Sequence, residues 1–126
     1  MPLNPSHIRQ VAVPVRDVDR ARAFYRDTLG LPHLFDAPPG LALFQCGETR
    51  LMLSQPEGAE TAGGPILYYA VPSARDAEAA LAAEGLAFEQ AAHHIATVGG
   101  KQVWLAIARD SEGNLIGMMS EEEIAG

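Results

Sequence analysis

Two spacings of apolar residues divide the first part of the chain into a strand and a helix. Valines occupy every second position of residues 11–15, so one face of this strand is apolar and Gln10 points to the other face. In residues 18–29 the apolar positions instead recur every three or four residues, which is typical of an amphipathic helix. Asp17 is a favourable N-cap for that helix, and Gly30 permits the left-handed turn that ends it.

Three further extended segments complete the first half. Residues 31–35, 41–46 and 50–55 are short and rich in apolar residues, and turn-forming residues separate them. The predicted order of elements is therefore βαβββ.

The same order recurs in the second half. Residues 66–71 are predicted to form a strand, and Ser73 is a favourable N-cap. The alanine-rich stripe after Ser73 predicts a helix that ends at Gly85. Three more strands are predicted within residues 88–97, 103–108 and 115–119. Gly117, inside the last of these, marks a place where another group comes close to the backbone.

The repeat predicts a single domain, residues 1–126, that consists of two tandem units. We expect unit 1 at about residues 7–55 and unit 2 at about residues 66–121, with residues 56–65 as a linker because they contain three glycines and no large apolar residue. Each unit is too small to bury its own sheet face, so the two are expected to pack side by side around a shared concavity. The three glutamates at 121–123 are expected to form a solvated end.

Composition and charge limit the classes of partner. The net charge is −7, from 9 basic and 16 acidic residues, so the chain repels the phosphates of nucleic acid and of anionic membrane surfaces. No apolar run approaches the roughly 20 residues of a spanning helix, and we expect a soluble, cytoplasmic protein. Cys46 is the single cysteine, which excludes an internal disulfide and predicts a small, buried apolar residue at a strand end.

Few residues carry recognisable chemistry. The sequence has no Ser/His/Asp arrangement, no glycine-rich phosphate loop and no CxxC motif, so nothing indicates a hydrolase, a nucleotide-binding protein or a thiol oxidoreductase. His93 and His94 are adjacent on a predicted strand, so they point to opposite faces and cannot hold one ion together. Either one of them faces a ligand site as a proton carrier, for which His93 is the better choice, or both lie at a water-exposed strand edge.

Two motifs resemble one known superfamily. Residues 15–31 read Val-x-Asp-x-x-x-Ala-x-x-Phe-Tyr-x-x-x-Leu-Gly-Leu, and residues 109–116 read Arg-Asp-x-x-Gly-Asn-x-Ile. Together with the paired βαβββ units they resemble the vicinal oxygen chelate superfamily, also called the glyoxalase, bleomycin-resistance and dioxygenase family, over about residues 7–121. The resemblance implies an α+β fold in which the two units form a cup-shaped, half-open eight-stranded β-barrel with helices outside. It also implies a ligand site inside the cup, and that homodimers are common.

The resemblance implies a metal site whose ligands are missing here. In the enzymes of this superfamily a divalent ion is held by one residue from the first strand and one from the last strand of each unit, usually His, Glu or Gln. The matching positions in this chain are Gln10, Met52, Ile66 and Gly117. Of these, only Gln10 offers an oxygen, whereas a hard divalent ion needs several oxygen or imidazole ligands. We therefore predict no metal and no other cofactor.

The predicted ligand pocket surrounds these four positions. Tyr68 either supplies a hydroxyl or fills the space that Gly117 leaves, and Trp104 and Met119 either contact a ligand or pack in the core. The complete predicted set is Gln10, Arg50, Met52, Ser54, Ile66, Tyr68, His93, Trp104, Gly117 and Met119.

Two functions are compatible with this pattern. The first is a metal-free protein that binds a small, partly apolar organic molecule in the cup, as the drug-sequestering branch of the superfamily does. The second is a lyase, isomerase or dioxygenase, with or without a metal ion, so whether the chain is an enzyme stays open. A pure interaction module would need a large exposed apolar surface, and no contiguous run suggests one.

Overall fold

The computed structural model describes residues 3–55 and 65–124, and the chain divides into two compact units, residues 1–61 and 62–126. The predicted linker, residues 56–65, lies outside the described residues except for its last position. No helix in the described ranges is long and apolar enough to cross a membrane.

Unit 1 is a four-stranded mixed sheet with one helical segment. The strand order is β1-β4-β3-β2, in which β1 runs parallel to β4 and the other pairs are antiparallel. Its elements are β1 Gln10–Pro14, α1 Val18–Ala23 with a π-helical turn Phe24–Thr28, β2 His33–Ala37, β3 Leu41–Cys46 and β4 Thr49–Ser54.

The core of unit 1 lies between α1 and one face of the sheet. The helix contacts β3 and β4, and Phe44 and Leu53 of these strands are fully buried. Tyr25, which follows α1, is also fully buried, and its ring centroid lies 6.2 Å from that of Phe44. Alternation along β4 directs the neighbours of Leu53 to the opposite face of the sheet.

Unit 2 has the same architecture. The strand order is β5-β8-β7-β6, β5 runs parallel to β8, and the helix packs on β6, β7 and β8. Its elements are β5 Leu67–Ala70, α2 Ala74–Ala83, β6 Phe88–Val98, β7 Lys101–Arg109 and β8 Leu115–Glu123. The predicted α+β fold of tandem βαβββ units is confirmed, with two four-stranded sheets, neither of which closes into a barrel within the described ranges. The cup formed by the two units together stays a prediction.

The hydrogen bonds at the strand ends show that the units are repeats in detail. The Val15 N–H donates to the Ser54 carbonyl at 2.9 Å, and the Val71 N–H donates to the Met119 carbonyl at the same distance. Counting back from these pairs along each parallel strand pair makes Gln10 equivalent to Ile66 and Met52 equivalent to Gly117. The four positions matched to the family's metal ligands therefore form two equivalent pairs, one from each unit: Gln10 with Ile66, and Met52 with Gly117.

The helices begin alike but differ by one residue. Asp17 accepts hydrogen bonds from the N–H groups of Asp19 and Arg20, and Ser73 accepts one from Asp76, so both predicted N-caps are confirmed. Gly30 comes thirteen residues after Asp17, whereas Gly85 comes twelve residues after Ser73, and both glycines have positive φ. The π-helical turn of unit 1 accommodates the additional residue, because it takes one residue more per turn than an α-helix.

The predicted solvated acidic end forms part of a strand, although the side chains of Glu121 and Glu123 are exposed as expected. Strand β8 continues through residues 121–123, which pair with residues 101–103 of β7. The Glu122 carboxylate accepts hydrogen bonds from the Arg75 guanidinium and the Ser120 hydroxyl, both at 2.7 Å. The apolar run ends at Met119, so the sequence pattern did not reveal that backbone pairing continues the strand to Glu123.

Candidate functional site

The unit 1 site face is the side of the sheet that points away from α1. On β4, Leu51 and Leu53 are buried on the helix side, being 2% and 0% exposed. The alternate residues Arg50, Met52 and Ser54 are half-buried and lie together on the other side, as predicted from the sequence.

Gln10 and Met52 are in contact on this face. Their strands are neighbours, and the Gln10 Nε2 donates to the Met52 Sδ at 3.8 Å. Gln10 is otherwise exposed, so its amide is available to a molecule bound on the face. The contact pairs a weak sulfur acceptor with an amide donor, and it presents a mixed polar and apolar surface.

The unit 2 site face is defined by Tyr68, Gly117 and Met119, on the side of the sheet away from α2. Tyr68 of β5 is the register partner of Gly117 of β8, and its ring lies directly against the glycine. A Cβ atom placed on Gly117 would be 2.7 Å from the Tyr68 Cε1 and closer still to its Cδ1. The group that approaches the backbone at Gly117 is therefore an aromatic ring of the same unit, which remains 49% exposed.

Cross-strand register separates the two adjacent histidines. Leu105 of β7 pairs with Met119 on one side and with His93 on the other, so all three lie on the unit 2 site face. His94 instead pairs with Trp104 and shares its face. The structure therefore brings His93, and not His94, to the side that carries Met119.

Trp104 lies on the helix side of its sheet, and so it does not join the predicted pocket. It pairs with Ser120, whose hydroxyl accepts a hydrogen bond from the Ala74 N–H at the start of α2. The Arg75 guanidinium lies 4.1 Å from the centroid of the indole ring, as a cation–π contact. Of the two alternatives for Trp104, ligand contact and packing, its position therefore agrees with packing.

Ile66 and Cys46 complete the candidate residues. Ile66 is half-buried and immediately precedes β5, so it lies beside the unit 2 site face without being part of the sheet ladder. Cys46 is half-buried at the end of β3, and burial raises the pKa of its thiol, which disfavours the reactive thiolate.

The residues present do not fit the metal ion of the family. Within residues 3–55 and 65–124 there is no group of three or more His, Cys, Asp or Glu side chains that could hold an ion. At the family positions the chain offers an amide, a thioether, an alkyl group and a glycine covered by the Tyr68 ring, and hard divalent ions bind none of the last three.

Comparison with known proteins places the fold. The model of the glyoxalase/bleomycin resistance protein/dioxygenase superfamily matches residues 7–118. The structure of lactoylglutathione lyase from Agrobacterium tumefaciens is 23% identical and has a TM-score of 0.78, with 93% of this chain and 95% of that chain covered.

Two further solved structures have the same fold. TnmS3, an antibiotic binding protein from Streptomyces sp. CB03234, is 24% identical with a TM-score of 0.75, over 96% of this chain and 100% of that chain. A superfamily member from Alicyclobacillus acidocaldarius is 15% identical with a TM-score of 0.69, over 95% of each chain. No curated protein matches the sequence. Because the family model spans nearly the whole chain, this protein belongs to the glyoxalase/bleomycin resistance protein/dioxygenase superfamily.

Proposed function

We propose that this chain binds a small, partly apolar organic molecule without a metal ion. The observation that carries the proposal is the packing of the Tyr68 ring on Gly117, at the position where the family's last metal ligand would begin. A carboxylate at this position would have to displace the ring. Binding energy must then come from contacts with the organic molecule itself, and not from a Lewis acid.

Both site faces offer surfaces suited to such a molecule. On unit 1 the Met52 thioether adapts to ligands of different shape, and the Gln10 amide can donate or accept hydrogen bonds. On unit 2 the half-exposed Tyr68 ring offers a flat surface next to Met119. The structure of TnmS3 supports this proposal, because a protein described as antibiotic binding has the same fold.

Metal analysis and thermal shift together test the proposal. Protein purified without chelators should contain much less than one equivalent of iron, nickel, zinc or manganese, and these ions should leave its melting temperature unchanged. A screen of aromatic and alicyclic organic molecules should give binders that raise the melting temperature. Stoichiometric metal, or stabilisation by ions and by no organic molecule, would contradict the proposal.

Variants of the site faces test where a binder contacts the chain. Met52→Ala and Tyr68→Ala should each weaken binding several-fold, because each removes apolar contact area. Ile124→Ala is a matched control, because Ile124 is 48% exposed, close to the 49% of Tyr68, and it follows β8 outside the site face. If Met52→Ala and Tyr68→Ala weaken binding no more than Ile124→Ala does, the molecule does not contact these site faces.

A second candidate is an enzyme of the lyase, isomerase or dioxygenase type. The observation in its favour is the position of His93, which shares the unit 2 site face with Met119, since histidine is the side chain best suited to carry protons near neutral pH. The similarity to a lactoylglutathione lyase structure supports the same alternative. Turnover that falls at least about a hundredfold in His93→Gln but persists in His94→Gln would favour this candidate, since general acid–base catalysis contributes at least that much.

We also propose that the chain forms a homodimer, as is common in the superfamily. The edge strands β2 and β6, one in each sheet, carry exposed apolar residues, among them Phe35 at 49% and Ile95 at 44%. Association would remove such side chains from water.

A further inference from the structure

We infer that the molecule bound by this protein carries an anionic group that pairs with Arg50. The inference rests on the proposed function and specifies the chemical class of its ligand, an organic anion with an apolar body.

Arg50 is positioned on the unit 1 site face by its strand. It lies two residues before Met52 on β4, so the two side chains leave the same side of the sheet, and Arg50 is half-buried. Its register partners are Gln10 on β1 and Gln45 on β3. Both neighbours are neutral amides, and the Gln45 Nε2 donates to the Gly47 carbonyl at 2.7 Å.

The guanidinium of Arg50 has no carboxylate partner among the described residues. Other arginines of the chain have one within the same range, namely Arg22, Arg26, Arg75 and Arg109. A chain with net charge −7 and 16 acidic residues has ample carboxylates, yet within residues 3–55 and 65–124 none pairs with the guanidinium of this half-buried residue. The donors of this guanidinium therefore have no anionic acceptor within the described residues, and an anion from outside could pair with them.

The surroundings of Arg50 define the rest of the ligand. The half-buried Met52 provides an apolar surface on the same face, and its register partner Leu43 is buried beside it. A planar guanidinium binds carboxylate, sulfonate or phosphate groups through two parallel hydrogen bonds, whereas an apolar body is held by area and shape. An aromatic or alicyclic anion satisfies both parts of the surface.

A matched pair of fluorescent probes tests this inference. Anilinonaphthalene sulfonate carries the anion, and phenylnaphthylamine has the same aromatic body without it. Both should bind the folded wild-type protein, and Arg50→Gln should weaken the sulfonate by roughly tenfold, as expected for a hydrogen-bonded charge pair, while phenylnaphthylamine changes less than about twofold. Arg50→Lys should retain part of the affinity, since the charge remains and the paired geometry is lost.

Arg9→Gln is the matched control. Arg9 is exposed directly before β1, and its carbonyl accepts the Arg50 N–H at 2.7 Å, so the substitution makes the same change of charge beside the site face without altering the guanidinium on it. Circular dichroism and melting curves verify that each variant is folded. If both probes bind the wild type and Arg50→Gln weakens both equally or neither, the inference is overturned while the proposed function stands. If neither probe binds the wild type, both are overturned.

Discussion

At the scale of single residues, one glycine and one tyrosine determine the character of the unit 2 site face. Glycine at 117 leaves the space in which the Tyr68 ring packs against β8. The sequence indicates that some group approaches Gly117, because glycine is otherwise unfavourable inside a strand. It does not identify the group, because that depends on the register of β5 against β8.

Gly117→Ala should destabilise the protein by about 1–3 kcal/mol, because the new methyl group overlaps the Tyr68 ring and forces it into another rotamer. In a Tyr68→Ala background the same change should be neutral or stabilising, since alanine in a strand is favoured over glycine by about 0.5–1 kcal/mol. Urea unfolding of the four proteins of this double-mutant cycle measures the coupling. Equal costs in both backgrounds would contradict the packing described.

Trp104 illustrates a limit of residue-level prediction. Strand β7 is apolar on both faces around it, with Val103 and Leu105 beside Trp104, so alternation does not indicate which face carries the indole. The pairing of Trp104 with Ser120 and its contact with Arg75 decide the question, and both partners are distant in sequence or on another element.

At the scale of elements, an equivalent hydrogen bond links the start of each helix to the last strand of its own unit or to the residue directly after that strand. The Val18 N–H of α1 donates to the Gln55 Oε1 at 2.8 Å, and the Ala74 N–H of α2 donates to the Ser120 hydroxyl at 3.0 Å. The N-caps were predictable because their side chains are local in sequence. These two contacts were not, because different residue types serve the same purpose across 37 and 46 residues.

Ser120→Ala should cost about 1–3 kcal/mol, because it leaves the buried Ala74 N–H without its acceptor. Gln55→Ala removes the equivalent acceptor at an exposed site, where water can replace it, and should cost less than about 1 kcal/mol. Chemical unfolding of both variants measures the difference. A larger loss for Gln55→Ala would show that burial does not govern these contacts.

Acid should weaken the link between α2 and β8. The Ser120 hydroxyl and then the Arg75 guanidinium hold the pKa of Glu122 below its usual range. The folded state therefore releases this proton more readily than the unfolded chain, so the stabilisation is present above the ordinary glutamate pKa and is lost as the pH falls through the lowered value.

Unfolding free energies measured from about pH 7 to pH 3 should fall less steeply in Glu122→Gln than in the wild type. A residual decline is expected, because the pKa of Asp27 is lowered by Arg26 and that of Asp36 by His33. Ser120→Ala should also reduce the slope. An unchanged slope in Glu122→Gln would contradict this assignment.

Deleting Asp27 should be tolerated, because its ion pair with Arg26 is exposed to solvent and contributes little to stability. The deletion turns the Leu29 N–H to Phe24 carbonyl bond, which spans five residues at 3.0 Å, into an ordinary α-helical one. Deleting the exposed Ala79 from the regular α2 is the control, and it should cost roughly 2–4 kcal/mol because it rotates the buried Leu81 away from the core. Melting curves of the two deletions make the comparison, and equal losses would contradict it.

At the scale of the whole molecule, the repeat was the most predictable feature. In each half of the chain, the spacing of apolar residues, a helix N-cap and a glycine after the helix together predict the order βαβββ, and the structure confirms both units. Boundaries were less predictable where backbone pairing rather than apolar residues carries a strand, as at residues 120–123 of β8. Predicting which site residues are neighbours requires the register between strands, and no local sequence pattern contains that register.

The homodimer is tested by light scattering coupled to gel filtration at micromolar concentration. We expect a mass near twice the 13.4 kDa of one chain. Phe35→Ser and Ile95→Ser should shift the mass towards one chain if the outer strands form the contact, because each places a polar group in an apolar interface. A monomer in the wild type would remove this proposal.

The packing of Tyr68 on Gly117 also constrains the order in which this lineage can change. A larger side chain at 117 is accommodated once position 68 has become smaller, whereas the reverse order passes through an overlapping and destabilised intermediate. Introducing a carboxylate there by a single substitution is therefore disfavoured, and a change towards ion-dependent chemistry would have to begin at residue 68. The Tyr68 ring thus determines the order in which substitutions at positions 68 and 117 are tolerated.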